Sequence, residues 1–139
     1  MQDYEWIDHT GDMGIRIVAP DVKTLFFKAA QGMFSVMAEP KGPLIDALRR
    51  KHTFNLQEQD LDSLMILWLS ELLSVSECEH LFFVDFEITH FSFTEICAVA
   101  WGIERQHFHY LREVKAVTYH DFHVDQKNGE YRAEIIFDL

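Results

Sequence analysis

Cysteine, basic charge and long apolar runs are all scarce in this chain, and each scarcity removes a class of protein. Cys78 and Cys97 are the only cysteines among 139 residues and lie far apart, with no CxxC pair. That pattern supports neither a disulfide framework nor a thiolate zinc site, and both thiols read as reduced core residues. Lysine and arginine total 12 against 23 aspartates and glutamates, a net charge of -11. Such a balance repels a phosphate backbone unless the few cations cluster, so little direct nucleic-acid binding is expected. It suits metal coordination, docking to a basic protein, or plain solubility. No stretch approaches the roughly 20 apolar residues of a membrane span, and Met1 to His9 mixes charges with apolar residues where a signal would carry an apolar run. The expectation is a soluble cytoplasmic protein without a membrane partner. Also missing are GxGxxG, a Walker Gly-rich loop, HExxH, an EF-hand loop and GxSxG, the usual marks of several nucleotide, metal and hydrolase sites.

What is present is material for a core. Hydrophobic residues make 48% of the chain and aromatics 14%, enough for one compact domain over residues 1–139, and no repeat or spare linker suggests a second. Tyr4 to Asp8 and the alternating Met13 to Val18 read as strands around a turn at His9-Thr10-Gly11-Asp12. Asp21 can cap a helix from about Val22 to Ala38, whose Leu25, Phe26, Ala29, Ala30, Met33, Phe34 and Met37 fall on one face. After the breaker Glu39-Pro40-Lys41-Gly42-Pro43, Lys51 to Leu56 alternates as a strand, and a second, broadly apolar helix runs from about Leu61 to Ser76. Then the pattern turns extended: Leu81 to His90, Ser92 to Glu104, Glu113 to Val124 and Glu130 to Phe137. Asn128-Gly129 is the clearest tight hairpin signal, because both residues tolerate positive φ. The predicted fold class is α+β, a single-domain two-layer sandwich with a mixed, mostly antiparallel sheet and two helices packed on one face.

Candidate chemistry sits at the ends of this pattern. Asp138 and Leu139 close an apolar strand with a side-chain carboxylate beside a main-chain one, oxygens that suit calcium, magnesium or manganese; taken alone they read more simply as frayed, solvated groups. Asp12, flanked by Gly11 and by Met13-Gly14, could join them if its turn lies beside that strand end, or could merely close the turn. Lys115, in a predicted strand Glu113 to His120, must snorkel to water or meet an anion. His107 and His109 share a face if both lie on a strand, and His120 and His123 stand near each other, but neither pair has a matched partner cluster.

Three segments taken in order resemble a known family: Tyr4-Glu-Trp-Ile-Asp-His-Thr-Gly-Asp-Met-Gly-Ile15, Glu113-Val-Lys-Ala-Val-Thr-Tyr-His120 and Ile136-Phe-Asp-Leu139. The chain is similar over essentially its whole length to the archeases, whose helices also match around Ala29-Ala30 and Leu67-Trp-Leu-Ser-Glu-Leu-Leu73. The resemblance implies a protein cofactor, not an enzyme, that serves an RtcB-type RNA ligase in tRNA splicing and RNA repair. It would accelerate guanylylation of the ligase histidine, broaden nucleotide use and support multiple turnover. An older family proposal is a chaperone-like modulator of a tRNA cytosine methyltransferase. The resemblance maps metal ligands onto Asp12, Asp138 and the main chain of Leu139, with calcium as the first expectation and magnesium or manganese as alternatives, and maps the important lysine onto Lys115. Gly11 departs from the Ala more usual in the family, which loosens the turn while leaving each ligand in place. Two rivals from other classes remain: a metal-dependent hydrolase or transferase, for which no paired base and nucleophile is evident, and a client-holding chaperone using apolar surface from the twelve Phe, which are more simply core residues.

Overall fold

A computed structural model describes the main chain of residues 4–9 and 12–139, and the side chains of these except residues 4, 7–9 and 119–123. Thr10 and Gly11 of the expected turn, and the side chains of His120 and His123, therefore lie outside the described residues. The elements follow in the order β1 (Tyr4–His9), β2 (Asp12–Ala19), α1 (Val22–Met37), β3 (Ala38–Pro40), β4 (Arg50–Gln57), α2 (Leu61–Glu79), β5 (Leu81–Phe91), β6 (Glu95–Glu104), a 3-10 turn at Arg105–His107, β7 (Phe108–Tyr110), β8 (Ala116–Lys127) and β9 (Glu130–Asp138).

Local chemistry accounts for most of the boundaries. Extended Asp21 accepts from the Thr24 amide at 2.7 Å and Asp60 from the Ser63 amide at 2.8 Å, each satisfying a first-turn donor that would otherwise be orphaned. Helix α2 runs past the expected Ser76 to Glu79, where His80 takes a left-handed conformation (φ 55) and its amide donates to the Ser76 carbonyl. At the β8–β9 hairpin, Asn128 (φ 52) and Gly129 (φ 76) both lie in the left-handed region, as the sequence leads one to expect.

The α+β class holds, with every strand pairing among the described residues antiparallel. The strands do not form one sheet, however. They divide into a four-stranded sheet in the order β1-β2-β9-β8, a three-stranded sheet β4-β6-β5, and a short β3-β7 pair. Each helix touches both larger sheets: α1 packs on β2, β9 and β5, and α2 packs on β8, β4, β6 and β5. The two helices meet where fully buried Trp68 donates its indole N–H to the Phe26 carbonyl at 3.1 Å. Eight Phe are buried among the described residues, and edge-on rings such as Phe54 against Trp68 (5.9 Å) and Phe26 against Phe91 (4.9 Å) knit this core. At about 1.5–3 kcal/mol for each large apolar side chain removed from water, those rings belong to stability rather than to a client surface. Gly102 of β6 lets Leu81 approach, since a Cβ there would meet Leu81 Cδ1 at 2.9 Å.

Two expectations change. Cys78 is exposed on α2 and Cys97 is half-buried, so neither free thiol is a core residue. The strand expected from Glu113 begins only at Ala116. Residues 111–115 are held otherwise: the amides of Leu111 and Arg112 donate to the Met37 carbonyl at 2.7 and 3.2 Å, and Val114 turns into the core. Lys115 thus stands on an irregular segment just before β8, not on a strand.

Candidate metal and partner site at the β2–β9 end

In β2, Met13, Ile15, Ile17 and Ala19 are buried and point to the helices, so alternation puts Asp12 on the opposite, outer face. The register then does what the sequence spacing could not. Asp12 pairs directly with Asp138 of β9, and Asp138 pairs on its other side with Ala116, the first residue of β8. Residues directly opposed on an antiparallel pair share a face, with Cβ atoms roughly 4.5–5.5 Å apart. Lys115 is tied to the same point through its amide, which donates to the Asp138 main-chain oxygen at 2.8 Å. Three elements distant in the chain therefore bring Asp12, Asp138 and Lys115 together, with Leu139 next along the chain.

Electrostatically the arrangement is incomplete. Two carboxylates placed opposite each other on one face repel. Asp12 Oδ1 is buried and has no hydrogen-bond partner among the described residues, a deficit that typically costs about 1–3 kcal/mol for a polar group, more when charged. The nearest outer-face cation in the register, Arg16, is engaged by Glu134 at 3.5 Å and Glu5 at 3.8 Å. Asp138 and Leu139 are exposed, Leu139 by 37%. A divalent cation is one species that satisfies an orphaned carboxylate oxygen and offsets the repulsion together, so the donor set fits hard-cation chemistry. Side chains alone are few: among the described residues no group of three or more His, Cys, Asp and Glu converges on a metal position. Main-chain oxygen from Leu139, and water, would have to complete the coordination.

The histidine expectation fails on geometry. His107 lies in the 3-10 turn, while His109 lies on β7 opposite Glu39, so they do not share a strand face. Two further features near the site have no signature in the sequence. Thr118, opposite Ile136, buries Oγ1 without a partner among the described residues. An open groove of about 540 Å3 separates α2 from residues 113–116. Periodicity cannot find either, because each depends on which strand or segment lies beside which.

Comparison with known proteins places this geometry in a family. The description "Archease protein family (MTH1598/TM1083)" matches residues 4–139. The archease of Methanothermobacter thermautotrophicus is 31% identical, with 100% of both chains covered. That of Methanopyrus kandleri is also 31% identical, over 98% of this chain and 99% of the relative. The solution structure of Methanobacterium thermoautotrophicum protein 1598 superposes with a TM-score of 0.78 at 29% identity, covering 100% of both chains. A crystal structure of a Thermotoga maritima archease, described as a possible chaperone, gives 0.66 over 96% of this chain and 94% of its own; at 15% identity that likeness speaks for the fold alone. Full-length agreement in sequence and in fold shows that the chain belongs to the archease family.

Proposed function

We propose that this protein is an accessory factor, acting in the cytoplasm, that activates an RtcB-type RNA ligase in tRNA splicing and RNA repair, with the Asp12–Asp138 end as its working tip. The observation that carries the reading is the direct pairing of Asp12 with Asp138, with one Asp12 oxygen buried and without a partner among the described residues. A charge of -11 argues against gripping RNA and for approaching a basic active site. Asp12 and Asp138 would hold a divalent cation, calcium first, with Leu139 contributing a main-chain oxygen. When bound, that cation supplies positive charge and a Lewis acid at the tip. Lys115, whose amide is bound to the Asp138 main-chain oxygen, would bring a further positive charge to this end of the sheet, where it can meet a phosphate. The tip, inserted near the ligase nucleotide pocket, favours the geometry competent for guanylyl transfer to the ligase histidine. The chemical step belongs to the ligase, not to this chain.

The test is a guanylylation time course of the cognate ligase in buffered divalent ion, with a chelator control. Wild-type protein is expected to accelerate the reaction, and Asp138→Ala to lose most of the acceleration while keeping its fold by circular dichroism. Undiminished stimulation by Asp138→Ala sinks the role of the tip. A second reading, a chaperone-like modulator of a tRNA cytosine methyltransferase, draws support from the apolar exposure of Ile45 (87%) and Leu48 (74%). Suppression of client aggregation without any effect on the ligase favours that alternative.

A further inference from the structure

The groove between α2 and residues 113–116 has a composition that selects its occupant. Leu73, Val114 and Ala116 line it with apolar surface, and Ser70 and Ser74 add hydroxyls from α2. Its charged members are Glu77, Glu113 and Lys115. Glu77 is held by Arg105 at 3.2 Å. Glu113 is exposed and makes no ion pair among the described residues. An apolar floor beside an exposed, uncommitted carboxylate matches a long cationic side chain, whose methylene stem packs on the floor while its charge stays at the rim. A phosphate chain is the wrong occupant, since both carboxylates and the net charge oppose it.

The groove is tied to the tip through the backbone. Ala116, which lines the groove, is the register partner of Asp138, and the Lys115 amide donates to the Asp138 main-chain oxygen, while the Asp12 and Asp138 side chains are not part of its lining. Lys115 at the lip sets a polarity: a cation entering beside Glu113 is favoured, and one entering beside Lys115 is repelled.

We infer that this groove receives an arginine- or lysine-bearing segment of the partner protein, with the cation at Glu113 and its stem on Leu73, Val114 and Ala116, and so fixes the orientation in which the tip is presented. That the partner is the ligase rests on the function proposed above; the chemistry of the groove does not. Two arms separate the two ideas. In the first, an acetylated arginine-rich pentapeptide and its glutamate counterpart are titrated into the full chain by NMR. The arginine peptide is expected to shift the amides of Ser74, Val114 and Ala116 saturably. The shifts should vanish in Ser74→Trp, which fills the groove, and in Glu113→Lys, which reverses its charge. In the second, both variants are assayed for binding to and stimulation of the cognate ligase, with calcium titration as the readout of an intact tip. Each variant is expected to weaken ligase binding tenfold or more with calcium affinity unchanged.

Shifts that persist in both variants, or that a short RNA reproduces, overturn the groove. So does ligase binding by both variants within twofold of wild type. Peptide binding without any ligase response from the wild type leaves the groove standing and removes the ligase as its partner. Ligase stimulation with no saturable peptide shift does the opposite.

Discussion

Asp12 carries the sharpest single-residue expectation, because its environment is unfavourable without a ligand and favourable with one. In chelator, Asp12→Asn removes like-charge opposition to Asp138 and should be as stable as wild type, or more stable by up to about 1 kcal/mol. In excess calcium the order should reverse, since an ion at 100 times its Kd stabilises the folded wild type by about 2.7 kcal/mol and the variant by much less. Urea unfolding with and without calcium reads both arms, and an unchanged order would rule out the metal reading. Trp68 makes a different case, in which packing and a hydrogen bond coincide. Trp68→Phe leaves the Phe26 carbonyl without its indole donor and a void beside it, an expected loss of roughly 1–3 kcal/mol in the same assay. The apolar stripe of α2 marks Trp68 as buried from sequence alone. Its partner on α1 was not legible, because a helical pattern fixes the face and not the crossing. Asp12 was likewise legible as an oxygen donor, whereas its pairing with Asp138 exists only in the register.

At the scale of elements, Asp21 and Asp60 act as helix starts whose strength depends on pH. The Thr24 amide, then the Thr24 side chain, holds the Asp21 carboxyl below its ordinary value of 3.8, and Ser63 does the same for Asp60. A carboxyl lowered on folding contributes stability that is fully present above its unfolded value and is lost as pH falls through the folded one. Asp21→Ala should therefore cost about 1 kcal/mol near neutral pH, and the gap to wild type should narrow below about pH 4. Unfolding curves at several pH values check this, and a gap that widened in acid would contradict the capping account. Asp21 was readable as an N-cap because the chemistry of a cap is local. The end of α2 was not, since His80 adopts a left-handed conformation that no glycine announces. Nor was the start of β8: Glu113 to Val117 alternates like a strand, but Val114 answers to the core and the neighbouring amides to Met37.

For the whole molecule, composition constrained the outcome more than topology did. One α+β core with two helices follows from the chain's periodicities, while the division into two larger sheets depends on pairings between segments far apart in sequence. The charge of -11 acts at this scale too. Association with a basic partner should slow roughly tenfold or more between low and high salt, chiefly through the association rate, as expected for electrostatic steering. Stopped-flow measurement of both rates tests this, and a salt effect confined to dissociation would speak against steering.

The order β1-β2-β9-β8 also has a temporal consequence. Strand β9 occupies the interior of its sheet, yet ribosomes deliver it after every other element described. Until it emerges, β2 has only β1 as a strand partner, and Met13, Ile15 and Ile17 lack the strand that completes their shelter. Pairings that span nearly the full chain form slowly, because loop closure must precede the contacts that reward it. Nascent chains halted short of β9 should thus be the ones that chaperones and proteases see, and Asp12 can meet Asp138 only in a chain that has finished folding.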